Sequence, residues 1–224
     1  MEFGYWGIKG LGETSRMVAA YTKTKLNEYN PTSREEWAEK KAAFGAPFAN
    51  LPYLIDGDFK LTESSAIPVY IAHKAGRTDL LGNDIKEQAQ VRQIEGVLGD
   101  LRTAVFKVMW AKEGHKEALT EALKEGNSFS NLTAGLSKFL GEKDYFLGHV
   151  TLVDFYFAYS ARIFHALAKA FDVELPFHKH ANLVALVKRV ESLEGVKEFV
   201  DARVGVPFMP PPMLAYKLPT VAEF

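Results

Sequence analysis

The amino-acid sequence predicts a mixed α/β unit over residues 1–77, a linker over 78–84 and an all-helical unit over 85–224. Three observations carry this expectation. Up to about Ala75, short aromatic and apolar runs bounded by glycines alternate with segments of helical spacing. Beyond Asp84 the apolar residues recur only at helical spacing. The composition, 47% apolar and 25% charged over 224 residues, is that of a soluble globular chain with ample material for a core.

Glu2 to Ile8 is short and aromatic, which predicts a strand that ends where Gly7 and Gly10 open a turn. A helix follows, with Met17, Val18 and Tyr21 on one face, and Leu26 to Tyr29 makes a second strand. Ser33 stands before Arg34, Glu35 and Glu36 as an N-cap stands before an acidic first turn. It opens a helix through Trp37 to Phe44 that Gly45 and Pro47 stop. Leu51 to Ile55 and Phe59 to Leu61 flank Asp56-Gly57, the signal of a tight hairpin turn. Thr62 to Ser65 opens a further helix with Ile67, Tyr70 and Ile71 at helical spacing. The resulting order is β-α-β-α-β-β-α, with helices available to cover a sheet.

In the second unit Val91, Ile94, Val97, Leu98, Leu101, Val105, Val108 and Met109 trace one stripe of a long helix, which Gly114 is expected to end. Leu119, Leu123, Leu132, Leu136 and Leu140 continue the pattern, interrupted near Gly126-Asn127-Ser128. Thr151 and Asp154 have the spacing of a capping box, with Asp in place of the usual Glu or Gln, and open an apolar helix from Leu152 to Phe171. Two shorter helices are expected near 180–193 and 195–203. Pro207 and Pro210 to Pro212 keep the tail out of regular helix and lay it across the surface.

Several function classes are disfavoured at once. Lys and Arg total 27 against 28 Asp and Glu, so the formal charge of −1 provides no bulk attraction for nucleic acid or anionic lipid. The absence of cysteine removes disulfides, thiolate metal sites and a cysteine nucleophile, so sulfur chemistry has to come from a ligand. His178 and His180 lie two apart with no acidic cluster, and no metal site is expected. The N-terminus lacks the pattern of a secretory signal. The most apolar stretch, Val150 to Val173, is interrupted by Asp154, Arg162, His165 and Lys169, so no membrane span and a cytoplasmic location are the expectation.

GYWGIKGLGETSR at 4–16, ANLPYLIDGDFKLTESSAI at 49–67 and FLGHVTLVDF at 146–155 resemble the cytosolic glutathione S-transferases, the mu class in particular. The joint occurrence of Tyr5-Trp6, Asn50-Leu51-Pro52 and Glu63-Ser64 is far more specific than any one of them. The resemblance implies a thioredoxin-like N-terminal domain that binds glutathione, an all-helical C-terminal domain that shapes a second-substrate pocket, and a homodimer. It implies conjugation of glutathione, activated as a thiolate, to hydrophobic electrophiles, with glutathione as co-substrate and no permanently bound cofactor or metal. Two other readings stay open: a glutathione-dependent isomerase of lipid peroxides, and a non-catalytic carrier of hydrophobic ligands.

Tyr5 lies near the carboxyl end of the first strand, where open α/β sheets place ligands, a position that equally suits a Tyr packed in the sheet. By resemblance it donates a hydrogen bond to the glutathione sulfur, and an unperturbed phenol pKa of ~10 keeps the proton in place near neutrality. The resemblance further implies glutathione contacts from Trp6, Leu11, Trp37, Lys41, Asn50, Leu51, Pro52, Glu63, Ser64 and Asp100. Leu51-Pro52 is then cis, and the Leu51 backbone pairs with the cysteinyl unit as an added strand pairs with a sheet edge. Asn50 frames the glycine end, and Lys41 neutralises the glycine carboxylate. Trp37 and Lys41, four residues apart, also suit a plain solvated helix face. Ser64 stands at a helix start, where free N–H groups and the dipole favour the γ-glutamyl carboxylate, or where it simply caps. Glu63, where mu proteins usually have Gln, pairs with the γ-glutamyl ammonium.

Asp100 is implied to reach the γ-glutamyl end from the neighbouring subunit. Phe48 is implied to be the aromatic key inserted into the partner, with local core packing as its plain alternative. For the second substrate, Arg102, Phe106 and Trp110 recur every four residues and share a helix face. Ile8 and Leu11 are expected to complete the floor of that pocket, with Phe208 or Met209 from the tail as a lid.

Overall fold

The computed structural model describes residues 1–109, 114–174 and 176–208. Strands β1 (Glu2–Gly4), β2 (Asn27–Tyr29), β3 (Tyr53–Asp56) and β4 (Phe59–Thr62) form one sheet in the order β2-β1-β3-β4. β1 runs parallel to β2 and antiparallel to β3, and β3 is antiparallel to β4 across the Asp56-Gly57 turn. The helices of this half are α1 (Glu13–Tyr21), α2 (Arg34–Ala42) and α3 (Ala66–Lys74), which completes the β-α-β-α-β-β-α order.

β1 is shorter than the aromatic run from Glu2 to Ile8 predicts. Its ladder ends at Gly4, although the Tyr5 N–H still donates to the Tyr29 carbonyl at 3.0 Å. Beyond that the chain turns away because the buried Arg16 of α1 captures the loop: its Nη1 donates to the Ile8 carbonyl at 2.9 Å, while its Nε pairs with Glu28 at 2.7 Å. Gly4 is required by packing, since a Cβ there would lie 2.0 Å from the Tyr53 ring.

α2 buries no residue completely. It is fixed by its start, where the Ser33 hydroxyl accepts from the Glu36 N–H at 3.0 Å, and by Trp37, stacked on Tyr53 at 6.0 Å between centroids.

The helical half contains α4 (Ile85–Met109), α5 (His115–Leu123), α6 (Ser128–Leu140), α7 (Leu152–Phe171), α8 (Ala181–Glu191) and α9 (Val196–Ala202). Gly114, expected to end the long helix, is the N-cap of α5 with φ of 69°, a left-handed conformation that glycine adopts at little cost, and the stretch between Met109 and Gly114 lies outside the described residues. α7 is the central pillar. It packs against α4 and α8 and also against α1, so the α/β half is seated on it. Its core side is aromatic: Phe164 meets Phe129 at 4.4 Å, and Phe157 and Phe164 meet Phe177 edge-on. Its N-terminus is closed by Asp154, which accepts from the Thr151 N–H at 2.7 Å, the Thr151 hydroxyl at 2.9 Å and the Phe146 N–H at 2.9 Å.

After α9 the chain returns to the loop that follows β1. The carbonyls of Pro207 and Phe208 accept from the N–H groups of Lys9 and Gly10, each at 2.9 Å. Among the described residues no helix is long and apolar enough to cross a membrane.

Candidate active site

The sheet places Tyr5 one residue beyond the carboxyl end of β1, and the following loop folds back over its ring. The phenol is 6% exposed, and its oxygen accepts a hydrogen bond from the Leu11 N–H at 2.8 Å. Only glycines allow that close return: a Cβ on Gly10, where φ is +44°, would lie 2.5 Å from the Tyr5 hydroxyl oxygen, and one on Gly12 would lie 2.8 Å from the ring. Burial pushes the phenol pKa up from its ordinary value, opposed by the Leu11 N–H and by the Arg16 guanidinium, 5.7 Å from the ring centroid. Tyr5 therefore keeps its proton at neutral pH. Because the oxygen already accepts from Leu11, that proton is available to a partner in the cleft.

The cleft has a volume of about 360 Å³ and lies between the α/β half and the faces of α4 and α7. On the α/β side it is lined by Tyr5, Trp6, Ile8, Leu11, Trp37, Asn50, Leu51 and Ser64, and on α4 by Arg102 and Phe106, all of them expected from the sequence. Leu51 is joined to Pro52 by a cis peptide. Among the described residues no backbone hydrogen bond engages the N–H or C=O of Leu51. Ser64 and Ser65 sit immediately before α3, whose dipole favours a carboxylate there, while the first two N–H groups of the helix, those of Ala66 and Ile67, donate to the Glu63 carbonyl at 3.1 Å each. Glu63, exposed beside them, has φ of +79°, a conformation that a non-glycine residue holds at some cost and that occurs preferentially at functional sites.

Other expected residues do not line this cleft. Lys41 is exposed on α2, Pro52 is buried behind Leu51, and Glu63 faces solvent. Asp100 is exposed on α4, next to Gly99, which does line the cleft. Phe48 is 79% exposed, so local core packing is not its role in the isolated chain. Phe208 is buried behind the wall, stacked on Tyr159 at 6.3 Å with the Lys9 ammonium 4.5 Å above its ring. Trp110 and Met209 lie outside the described residues. The expected absence of a histidine metal site concerns His178, exposed and stacked on the buried His165, and His180 at the start of α8. No group of three His, Cys, Asp or Glu capable of holding a metal occurs among the described residues.

Sequence reasoning missed much of the opposite wall. Glu95, Leu98 and Gly99 extend the α4 face of Arg102 and Phe106, and Tyr156, Tyr159, Ser160 and Ile163 come from α7. The Tyr156 hydroxyl donates to the carbonyls of Ser64 at 3.3 Å and Ser65 at 3.2 Å, which ties α7 to the start of α3 across the cleft. Tyr159 is 8% exposed, and among the described residues its buried hydroxyl has no partner. An unsatisfied buried hydroxyl costs ~1–3 kcal/mol. Tyr159→Phe is accordingly expected to leave the thermal unfolding midpoint unchanged or raise it; a fall of several degrees in calorimetry would show that the hydroxyl has a stabilising partner.

The comparisons with known proteins agree with this geometry. The family model described as "Glutathione S-transferase, N-terminal domain" matches residues 1–73, and that described as "Glutathione S-transferase, C-terminal domain" matches residues 99–203. A class-mu 26 kDa glutathione S-transferase isozyme of Schistosoma japonicum is 36% identical over 210 residues, covering 89% of this chain and 87% of that protein. Human glutathione S-transferase Mu 4 is 30% identical over 221 residues, covering 95% and 94%. Among solved structures, the glutathione S-transferase Blo t 8 superposes with a TM-score of 0.78 at 24% identity over all of both chains. A Pi-class glutathione S-transferase of Onchocerca volvulus gives 0.77 at 20%, covering 93% of this chain and 97% of that one. The chain belongs to the glutathione S-transferase family.

Proposed function

We propose that this protein is a mu-like glutathione transferase that binds glutathione against the α/β half, holds it as a thiolate and conjugates it to hydrophobic electrophiles in the neighbouring pocket. The observation that carries the reading is the Tyr5 hydroxyl: it borders the cleft, accepts from Leu11, and retains a proton to donate. A hydrogen bond to an anion contributes ~1.5–3 kcal/mol. Lowering a thiol pKa from ~8.5 by about two units needs ~2.7 kcal/mol, so Tyr5 supplies most of it without a metal or a general base. The thiolate is the nucleophile, and Tyr5 acts electrostatically.

The glutathione backbone pairs with Leu51, framed by Asn50 and Pro52, and its γ-glutamyl carboxylate takes the Ser64 hydroxyl and the N–H groups of Ser64 and Ser65, just before α3. Glu63 receives the γ-glutamyl ammonium, Lys41 the glycine carboxylate, and Trp6, Leu11 and Trp37 enclose the middle of the peptide. Residues 1–77 form the glutathione-binding domain, 78–84 the linker, and 85–224 the domain shaping the second pocket. Arg102 and Phe106 line that pocket from α4, Trp110, outside the described residues, is a further candidate by its spacing in the sequence, and Phe208 buttresses Tyr159. Two exposed groups fit a homodimer: Asp100 would complete the partner's site, and Phe48 would insert into the partner's surface. A cytoplasmic role in detoxification is consistent with this chemistry.

The test is the rate of thioether formation between glutathione and 1-chloro-2,4-dinitrobenzene, on protein whose mass in solution is determined alongside. Saturable, glutathione-dependent turnover by a dimer is expected. Negligible turnover would overturn the transferase reading, and a monomer at micromolar concentration would overturn the roles of Asp100 and Phe48.

A further inference from the structure

Away from Tyr5 the cleft is lined mainly by apolar side chains, Leu98, Phe106, Ile163, Ile8 and Leu11, with Thr14, Tyr159 and Ser160 adding uncharged hydroxyls. Among the described residues two charged side chains border it, Glu95 and Arg102, both on α4 and seven residues apart, hence on one face. They differ in what they face. The Glu95 carboxylate is already neutralised by Arg92, whose Nη1 lies 2.6 Å away. Arg102 is exposed at the rim, and among the described residues its guanidinium has neither a hydrogen bond nor an ion pair. The neighbouring phenol of Tyr156 is committed, because its hydroxyl donates to the carbonyls of Ser64 and Ser65. The rim therefore offers one uncompensated positive charge beside an apolar chamber.

Pockets of this kind bury the body of a ligand and orient it through a few polar groups. A guanidinium presents a planar fork that matches a carboxylate in a bidentate pair. We infer that the second substrate is an apolar electrophile carrying a carboxylate, whose body lies against Leu98, Phe106 and Ile163 while Arg102 holds the carboxylate at the rim. This inference rests on the transferase reading and specifies its substrate class. For an unsaturated ketone of this kind, the glutathione sulfur bonds to the β carbon and the C=C electron pair moves onto the carbonyl. The α carbon then takes a proton from water, and no group leaves.

The experiment uses a matched pair: an α,β-unsaturated ketone with a medium-length alkyl chain ending in a carboxylate, and its methyl ester. The charge is far from the reacting carbon, and each rate is normalised to the uncatalysed reaction with glutathione. The ratio of kcat/KM for acid over ester is measured in the native protein and in Arg102→Lys, Arg102→Gln and Arg102→Glu. The native protein is expected to prefer the acid, with the ratio falling at least ~10-fold in Arg102→Gln, chiefly through KM, further in Arg102→Glu, and least in Arg102→Lys. The same ratio in all four proteins overturns the inference. So does a rise in the KM for glutathione in Arg102→Gln with an unchanged acid-to-ester ratio, because the guanidinium then serves glutathione. If the native protein fails to turn over chlorodinitrobenzene, the transferase reading has failed. Calorimetric binding of the saturated acid and ester then tests Arg102 by itself, and equal affinities in the native protein would end the proposal.

Discussion

Tyr5→Phe is expected to retain glutathione binding, raise the pKa of the bound thiol by one to two units, and reduce turnover about 10- to 100-fold. The range follows from one lost hydrogen bond to an anion, at 1.36 kcal/mol per tenfold. The rest of the arrangement survives the substitution: the ring still fills the space enclosed by Gly10 and Gly12, and Arg16 still holds the loop through Ile8. One further change is built in. The Leu11 N–H loses its acceptor, so the variant is also expected to lose ~1–3 kcal/mol of stability, and its folding has to be measured alongside its rate. Titration of bound glutathione by thiolate absorbance separates the two effects. A rate that falls while the thiol titrates as before would remove Tyr5 from the chemistry and leave it a loop anchor.

Local signals were the most legible part of the sequence. Ser33, the Asp56-Gly57 turn and the Thr151/Asp154 pair each announce an element through contacts within a few residues, and each is present as expected. The length of β1 is different. Its aromatic run continues to Ile8, but where pairing stops is decided by Arg16 and Glu28, an ion pair between a buried guanidinium on α1 and an exposed carboxylate on β2. No pattern within Glu2 to Ile8 contains that information.

The same division holds in the cleft. Its α/β wall was legible because Tyr5, Leu51 and Ser64 belong to a joint motif. The α7 wall was not, since Tyr156, Tyr159 and Ile163 lie on a helix that is apolar nearly all round, where a core residue and a pocket residue carry the same period. On α4 the signal was present but not followed far enough. Three, four and seven residues before Arg102 stand Gly99, Leu98 and Glu95.

Asp154→Ala is expected to cost at least ~3 kcal/mol of folding stability at neutral pH, because it strands three buried donors, the N–H groups of Phe146 and Thr151 and the Thr151 hydroxyl. The pH dependence distinguishes this from ordinary loss of packing. Burial pushes the Asp154 carboxyl up to about 6, opposed by those same three donors. The native state thus binds this proton more tightly than the unfolded chain, whose aspartates titrate near ~3.9. A raised native pKa contributes stability that is full below the unfolded value and is lost as the pH rises through the folded one. Relative to a variant without the carboxyl, the native protein is therefore expected to lose about 2 kcal/mol between pH 4 and pH 7. Urea unfolding of the native protein and Asp154→Ala across that range reads the difference directly, and Asp154→Asn serves where the alanine variant does not fold. Parallel curves would mean that the carboxyl titrates as it does in water and that the cap is open to solvent. The consequence extends to the site: α7 carries Tyr156 to the carbonyls of Ser64 and Ser65, so the proton on Asp154 bears on the helix that joins the two walls of the cleft.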